Sequence, residues 1–210
     1  MKHEKEIKER LISNAIHLIA EGGFEKATTK ELSYYGGDLP DIKMNEVYIY
    51  RIFGSKEKLF EATFSFLDNE LFYAFKHGED SINDLKNNLK SGLYSYFLNA
   101  WRFILGNEDR CRCYVRYYYS IYFNGHSLET HQALFKDVIA KLVPFFKDDA
   151  DVINILHSVF TSLLNFGIRV YNGELEDTEV NRAHVFNVLY CMMVTYLKNQ
   201  HLRTEDRNVS

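Results

Sequence analysis

Residues 22–60 read GGFEKATTKELSYYGGDLPDIKMNEVYIYRIFGSKEKLF. The glycine pair Gly22-Gly23 stops a preceding helix, and Phe24 supplies one aromatic plug behind it. Thr28 and Glu31 have capping-box spacing, in which the threonine hydroxyl takes the amide of the third helical residue and the glutamate reaches back. A short helix over Thr29 to Tyr35 is expected to follow. Asn45 is placed to cap a second short helix, Glu46 to Phe53, which Gly54 stops. Ser55 is placed to cap a third, longer helix that opens with Lys56. Two short helices and a tight stop before a long one give the outline of a helix-turn-helix, whose second helix is offered to the major groove of DNA.

The segments GGFEKATTKEL, NEVYIYRIF and GSKEKLF, at their spacing here, resemble the N-terminal domain of TetR/AcrR-family transcriptional regulators. That family's pattern is a glycine and aromatic before a threonine cap, a third helix ending in tyrosine and phenylalanine, and a Ser-Lys-Glu-x-Leu start to the fourth. The resemblance covers roughly the first third of the chain. It implies an all-α protein of about nine helices, with a helix-turn-helix DNA-binding domain over 1–54 and a ligand-binding and dimerisation domain over 55–210. It also implies a cytoplasmic homodimer that binds a roughly palindromic double-stranded DNA operator, as a repressor, and leaves it when a small-molecule inducer binds. Tyr50 matches the family tyrosine that contacts phosphate, and Lys56 the family lysine that does the same. There are two departures. The link Gly36 to Lys43 is about six residues longer than the family's turn by alignment, and Tyr48 stands where the family has a small Ser or Thr. They leave open an alternative, a protein-interaction adaptor of the same fold that has lost DNA reading.

Read residue by residue, the candidate DNA face is Thr29 and Lys30 at a helix start, then Asn45, Glu46, Val47, Tyr48, Tyr50 and Arg51, with Lys56 beyond. Helix N-termini with nearby Thr and Lys suit phosphate oxygens. Arg51 is the side chain able to grip a guanine edge with two hydrogen bonds. Ile49 and Phe53, one turn apart, are expected to seat this helix, with Ile52 beside them. Leu39, Ile42 and Met44 are the residues that could pack the long link back against the core. The chain of 210 residues carries a net charge of −4, so DNA binding has to rest on a few positioned donors and not on a broad basic surface.

Composition agrees with helices and a sizeable core: two prolines, 11 glycines and 46% apolar residues. Three cysteines make no disulfide framework. The absence of a charged-then-apolar leader argues against secretion, and the most apolar run, Val188 to Leu197, falls short of the ~20 residues that span a bilayer. Helical periodicity places further helices at about Lys5 to Glu21, Ser55 to Lys76, Ser81 to Ile104, Cys111 to Phe123, Leu128 to Phe146, Asp151 to Tyr171 and Glu179 to Gln200. The last two carry apolar residues round more than one face, which calls for a second helical partner. Ile155, Val159 and Leu163 on one and Val188, Met192 and Tyr196 on the other are the expected dimer contacts. For the ligand pocket, which the resemblance places among the middle helices, Tyr94, Phe97, Trp101, Tyr114, Tyr118 and Phe166 are candidate walls, with packing in a solid core as the alternative for each.

Other chemistry finds little support. Cys111 and Cys113, two apart on a helix, point about 200° apart and suit neither a shared metal nor a disulfide. His157 and His184 lie on apolar helices, where interior packing is the expected role. No P-loop, nucleophile elbow or dinucleotide fingerprint is present, and no cofactor, metal or enzymatic activity is expected.

Overall fold

One face of the first helix, Ile7, Leu11, Ala15, Leu18 and Ile19, is buried at helical spacing, and that stripe decides where the helix packs. The computed structural model describes residues 2–40, 42–76 and 88–198. Among them are nine α-helices: α1 (Lys2–Gly22), α2 (Thr29–Tyr34), α3 (Val47–Phe53), α4 (Lys56–Lys76), α5 (Leu89–Leu105), α6 (Glu108–Tyr118), α7 (Gly125–Leu142), α8 (Val152–Tyr171) and α9 (Glu179–Val194). A 3₁₀ turn, Val143–Phe145, follows α7. The fold is all-α; β-pairing among the described residues is confined to two isolated bridges.

The helices form two compact units. One takes residues up to Glu70 together with Asn107–Gln132, the other Leu71–Gly106 together with the chain from Ala133 onward. This division by packing differs from the linear one at Gly54, because α6 packs along α1 in the first unit. Within that unit α1 also carries α2 and α3. Within the second unit α8 lies against α9 and α5, and α9 against α5.

Several expected boundaries shift. The helix expected from Ser81 cannot run unbroken through Asn88, whose extended backbone and side chain cap α5 by accepting the Ser91 amide at 3.1 Å; Ser81 itself lies outside the described residues. The tyrosine-rich helix begins earlier, capped by Asn107, and ends at Tyr118 instead of Phe123. Beyond it Ser120 holds a turn, donating to the Tyr117 carbonyl and accepting the Tyr122 amide. Pro144 ends the seventh helix in the 3₁₀ turn, as a ring without an amide hydrogen requires. The ninth stops at Val194 so that the next segment can pair with residues 145–147. The Lys147 amide donates to Tyr196 O at 2.8 Å, the Lys198 amide donates to Phe145 O at 2.9 Å, and Leu197 is fully buried. Gln200, the end expected from periodicity, lies outside the described residues.

Candidate functional site

The helix-turn-helix geometry is set by polar contacts at helix ends. Thr28 caps α2, accepting the Glu31 amide at 3.1 Å. The reciprocal half of the capping box is replaced, because the Thr28 amide donates to Lys26 O at 2.8 Å. At the other end of α2 the carbonyls that a helix leaves unpaired are met from α1. The Asn14 side chain donates to Leu32 O at 2.8 Å and Tyr35 O at 2.9 Å, and Arg10 donates to Gly36 O at 2.8 Å. Asn14 is 3% exposed, so its amide is a buried clamp that fixes α2 on α1. His17 adds a ring stacked on Tyr35 at 4.5 Å and an Nδ1 contact of 2.7 Å to Asp109 on α6.

The long link does pack back. Gly36 and Gly37 both adopt positive φ, which glycine tolerates and other residues resist. Leu39 and Ile42 then exchange backbone hydrogen bonds, and Asp38 accepts the Met44 amide at 2.7 Å. Met44 is fully buried, Ile42 nearly so and Leu39 half-buried. Asp41 lies outside the described residues. The inserted residues therefore close on themselves and deliver Asn45 to the start of α3.

On α3, Asn45 accepts the Val47 amide at 3.0 Å, so the regular helix begins one residue later than Glu46. Ile49 is fully buried, whereas Ile52 and Phe53 are half-buried. Gly54, with φ of 85°, ends the helix, and Ser55 caps α4 by accepting the Lys58 amide. The outer face carries Val47, Tyr50 and Arg51 exposed, with Lys30 exposed on α2. The Arg51 guanidinium stands 4.7 Å from the Tyr48 ring centroid, a cation–π contact that props the arginine outward. Tyr48 thus supports the charged group beside it. Thr29 donates its hydroxyl to Glu46 at 2.9 Å, tying the start of α2 to the start of α3. Lys56 is half-buried, with its ammonium 5.6 Å from the Phe60 ring.

The six candidate pocket aromatics are divided between the two units. Tyr94, Phe97, Trp101 and Phe166 lie in the second unit, and Tyr114 and Tyr118 in the first. Phe97 and Trp101 are buried, and Tyr94, Phe97 and Trp101 belong to a ring cluster with Phe186 and Tyr190. Trp101 donates its indole N–H to Asp177 at 2.8 Å. Phe166, half-buried, carries the Arg169 guanidinium at 5.6 Å from its ring. Tyr114 and Tyr118 are buried, and burial holds both hydroxyls above the ordinary tyrosine range, Tyr118 up to about 12.

A cavity of about 350 Å³ does occur in the first unit, lined by other residues. Lys58, Glu61, Ala62, Phe64, Ser65 and Asp68 of α4 form one wall, and His126, Ser127 and Thr130 at the start of α7 the other. Its rim is exposed at Lys58, His126 and Thr130; Phe64, Asp68 and Ser127 are buried. Asp68, 2% exposed, accepts the Tyr114 hydroxyl at 2.5 Å and faces His131 Nδ1 at 3.0 Å.

Of the expected dimer residues, Val188 and Tyr196 are about half exposed, Ile155, Val159 and Met192 are half-buried, and Leu163 is buried within its own unit. His157 and His184 are exposed, not interior. Cys111 and Cys113 are both buried because α6 is covered on two faces, and burial pushes the Cys111 thiol up to about 12. No cluster of His, Cys, Asp or Glu among the described residues could hold a metal, and no described helix is long and apolar enough to cross a membrane.

Against known proteins, no family model and no curated protein matches the sequence. Solved structures do. A TetR family transcription regulator from Marinobacter aquaeolei VT8 superposes with a TM-score of 0.73 at 16% identity, over 91% of this chain and 98% of that one. A protein of Shewanella sp. PV-4, described as a TetR family transcription regulator, gives 0.68 at 14% identity, over 87% and 95%. One of Rhodococcus sp., described likewise, gives 0.61 at 12%, over 90% and 99%. The chain has the fold of the TetR-family transcription regulators.

Proposed function

We propose that this chain, built on that fold, is a ligand-responsive transcriptional regulator, a repressor that binds a roughly palindromic operator as a homodimer and releases it when a small molecule binds. The single observation that carries the reading is α3. It is a short helix seated by a fully buried Ile49, held at its start by the Thr29–Glu46 bond, and presenting Arg51 outward from the Tyr48 ring. A rigid rod with one forked donor on its outer face is what direct base readout needs. Lys30, Tyr50 and Lys56 flank it as phosphate contacts, with Val47 available to a thymine methyl.

In a titration against DNA flanking its own gene, Arg51→Ala should weaken specific binding by about 1–3 kcal/mol. Lys56→Ala should weaken all sequences alike and reduce the salt slope by about one counterion. An Arg51→Ala protein that bound the same operator unchanged would remove this reading face.

Homodimerisation is supported by the apolar residues left outside on α8, on α9 and just beyond α9: Ile153, Val188 and Tyr196 respectively are each about half exposed. Two such helices from each subunit would make a four-helix interface and set the reading helices about 34–36 Å apart, one turn of DNA. Val188→Glu should shift the protein to monomer in light scattering and cut operator affinity, while far-UV circular dichroism stays unchanged. A Val188→Glu protein that remained dimeric would place the interface elsewhere. Release follows from population shift: an inducer lowers operator affinity only by its preference for the DNA-incompetent state.

A further inference from the structure

The cavity between α4 and the start of α7 has an uneven charge balance. Lys58 and Glu61 at its rim satisfy one another, with Nζ to Oε2 at 2.7 Å. That leaves Asp68, buried and lining the cavity, as the charge without a matching fixed cation. Its partners are the Tyr114 hydroxyl on Oδ1 and His131 Nδ1, which faces both carboxylate oxygens at 3.0 and 3.1 Å, and no lysine or arginine among the described residues pairs with it. A carboxylate offers about four acceptor positions, and with the Tyr114 hydroxyl on Oδ1 and His131 shared between both oxygens there is still room for a further donor. Burial of an incompletely compensated carboxylate is costly, and a cation brought alongside relieves that cost.

The rest of the lining decides between guests. Phe64 and Ala62 supply apolar surface, and Ser65, Ser127 and Thr130 supply hydroxyls. The helix start on the opposite wall offers little to an anion, because Asn124 already accepts the Ser127 amide at 3.2 Å. An anionic guest would also sit against Asp68. The volume lies at the lower end of the ~300–1,000 Å³ range of small-molecule sites.

We propose that this cavity binds a small organic ammonium ion, with Asp68 taking its charge and Phe64 and Ala62 its apolar body. This rests on the reading of the chain as a ligand-responsive regulator for its consequence, but not for the binding itself.

The test is calorimetric titration of the full chain with three primary ammonium probes, propyl-, benzyl- and 2-phenylethylammonium, against 2-phenylethanol and 3-phenylpropionate. At least one ammonium should bind about tenfold or more tightly than the alcohol, as a charge-assisted hydrogen bond requires, and the carboxylate should not bind. Asp68→Asn should erase the preference for the amine. Ser65→Leu, which adds bulk to the cavity wall and keeps the Asp68 carboxylate, should abolish binding and covers the case in which Asp68→Asn fails to fold. Equal binding of amine and alcohol, no binding of any ammonium probe, or amine binding that survives Ser65→Leu would overturn the proposal. A parallel titration of the DNA-bound protein separates the two readings. An amine that binds without changing DNA affinity keeps the site and removes the inducer role; DNA released by some other compound, with no amine bound, does the reverse.

Discussion

Ile49→Ala should unseat α3 at a cost of about 2–5 kcal/mol, the range for removing a buried aliphatic side chain. The helix has seven residues, and isolated helices below ~12–15 residues do not persist in water. Its hold on the core is one fully buried side chain, because Ile52 and Phe53 are only half-buried. The loss therefore falls on this segment ahead of the remainder of the unit. In hydrogen exchange the amides of 47–53 should exchange faster by a factor that approaches the full destabilisation, whereas those of α8 and α9 stay protected. Operator binding should fall further than in Arg51→Ala, since every contact on the face is lost with the helix. Ile49→Val, which leaves most of the volume, should cost only about 0.5–1.5 kcal/mol and keep binding. Unchanged exchange in Ile49→Ala would mean that the inserted link, through Met44 and Ile42, seats the helix without it.

What could be read from the residues alone was local. The caps at Thr28, Ser55 and Gly54 follow from side-chain chemistry within one turn, and the structure has them. The burial of Met44 and Ile42 in the link was legible as apolar residues with nowhere else to go. Which compact unit each candidate pocket aromatic joins was not legible, because side chains on three helices carry no sign of it. Tyr94 and Tyr114 read alike in the sequence, yet belong to different units. The polar residues that organise the first unit were missed for a related reason. Asn14 sits amid Leu11, Ala15 and Leu18, and Asp68 between Leu67 and Leu71, on faces otherwise apolar. A polar residue on an apolar stripe is a signal, but its meaning waits on a partner distant in the chain: Leu32 and Tyr35 for Asn14, Tyr114 and His131 for Asp68. His157 and His184 failed in the opposite direction, since a helix rich in apolar residues still has an outer face.

The same buried ring and thiol groups predict that the protein unfolds in alkali before Tyr114, Tyr117 and Tyr118 ionise in the folded state. Burial raises Tyr117, Tyr118 and Cys111 to about 12, and raises Tyr114, beside the Asp68 carboxylate, well above its usual value. In the unfolded chain these groups lose protons near their ordinary values, about 10 for tyrosine and 8.5 for cysteine. Between those values and the folded ones the unfolded state binds fewer protons than the folded state, so stability falls as pH rises. The stabilisation is complete below about pH 8 and drains away up to about pH 12. Each group removes about 1.4 kcal/mol per pH unit across its own window. Acting together they remove several kcal/mol by pH 11, comparable to the whole stability of a small domain. Urea midpoints followed by circular dichroism from neutral pH to pH 11 should fall steadily, and the share of tyrosinate absorbance that Tyr118→Phe removes should rise in step with unfolding. Tyr118→Phe, which deletes one titrating group while keeping the ring that stacks on Phe123 at 4.6 Å, should flatten the decline. Tyrosinate absorbance assigned to Tyr118 by its loss in Tyr118→Phe, if it rose near pH 10 with the helical signal intact, would show that this hydroxyl is not enclosed, and with that the packing of α6 in the first unit would be wrong.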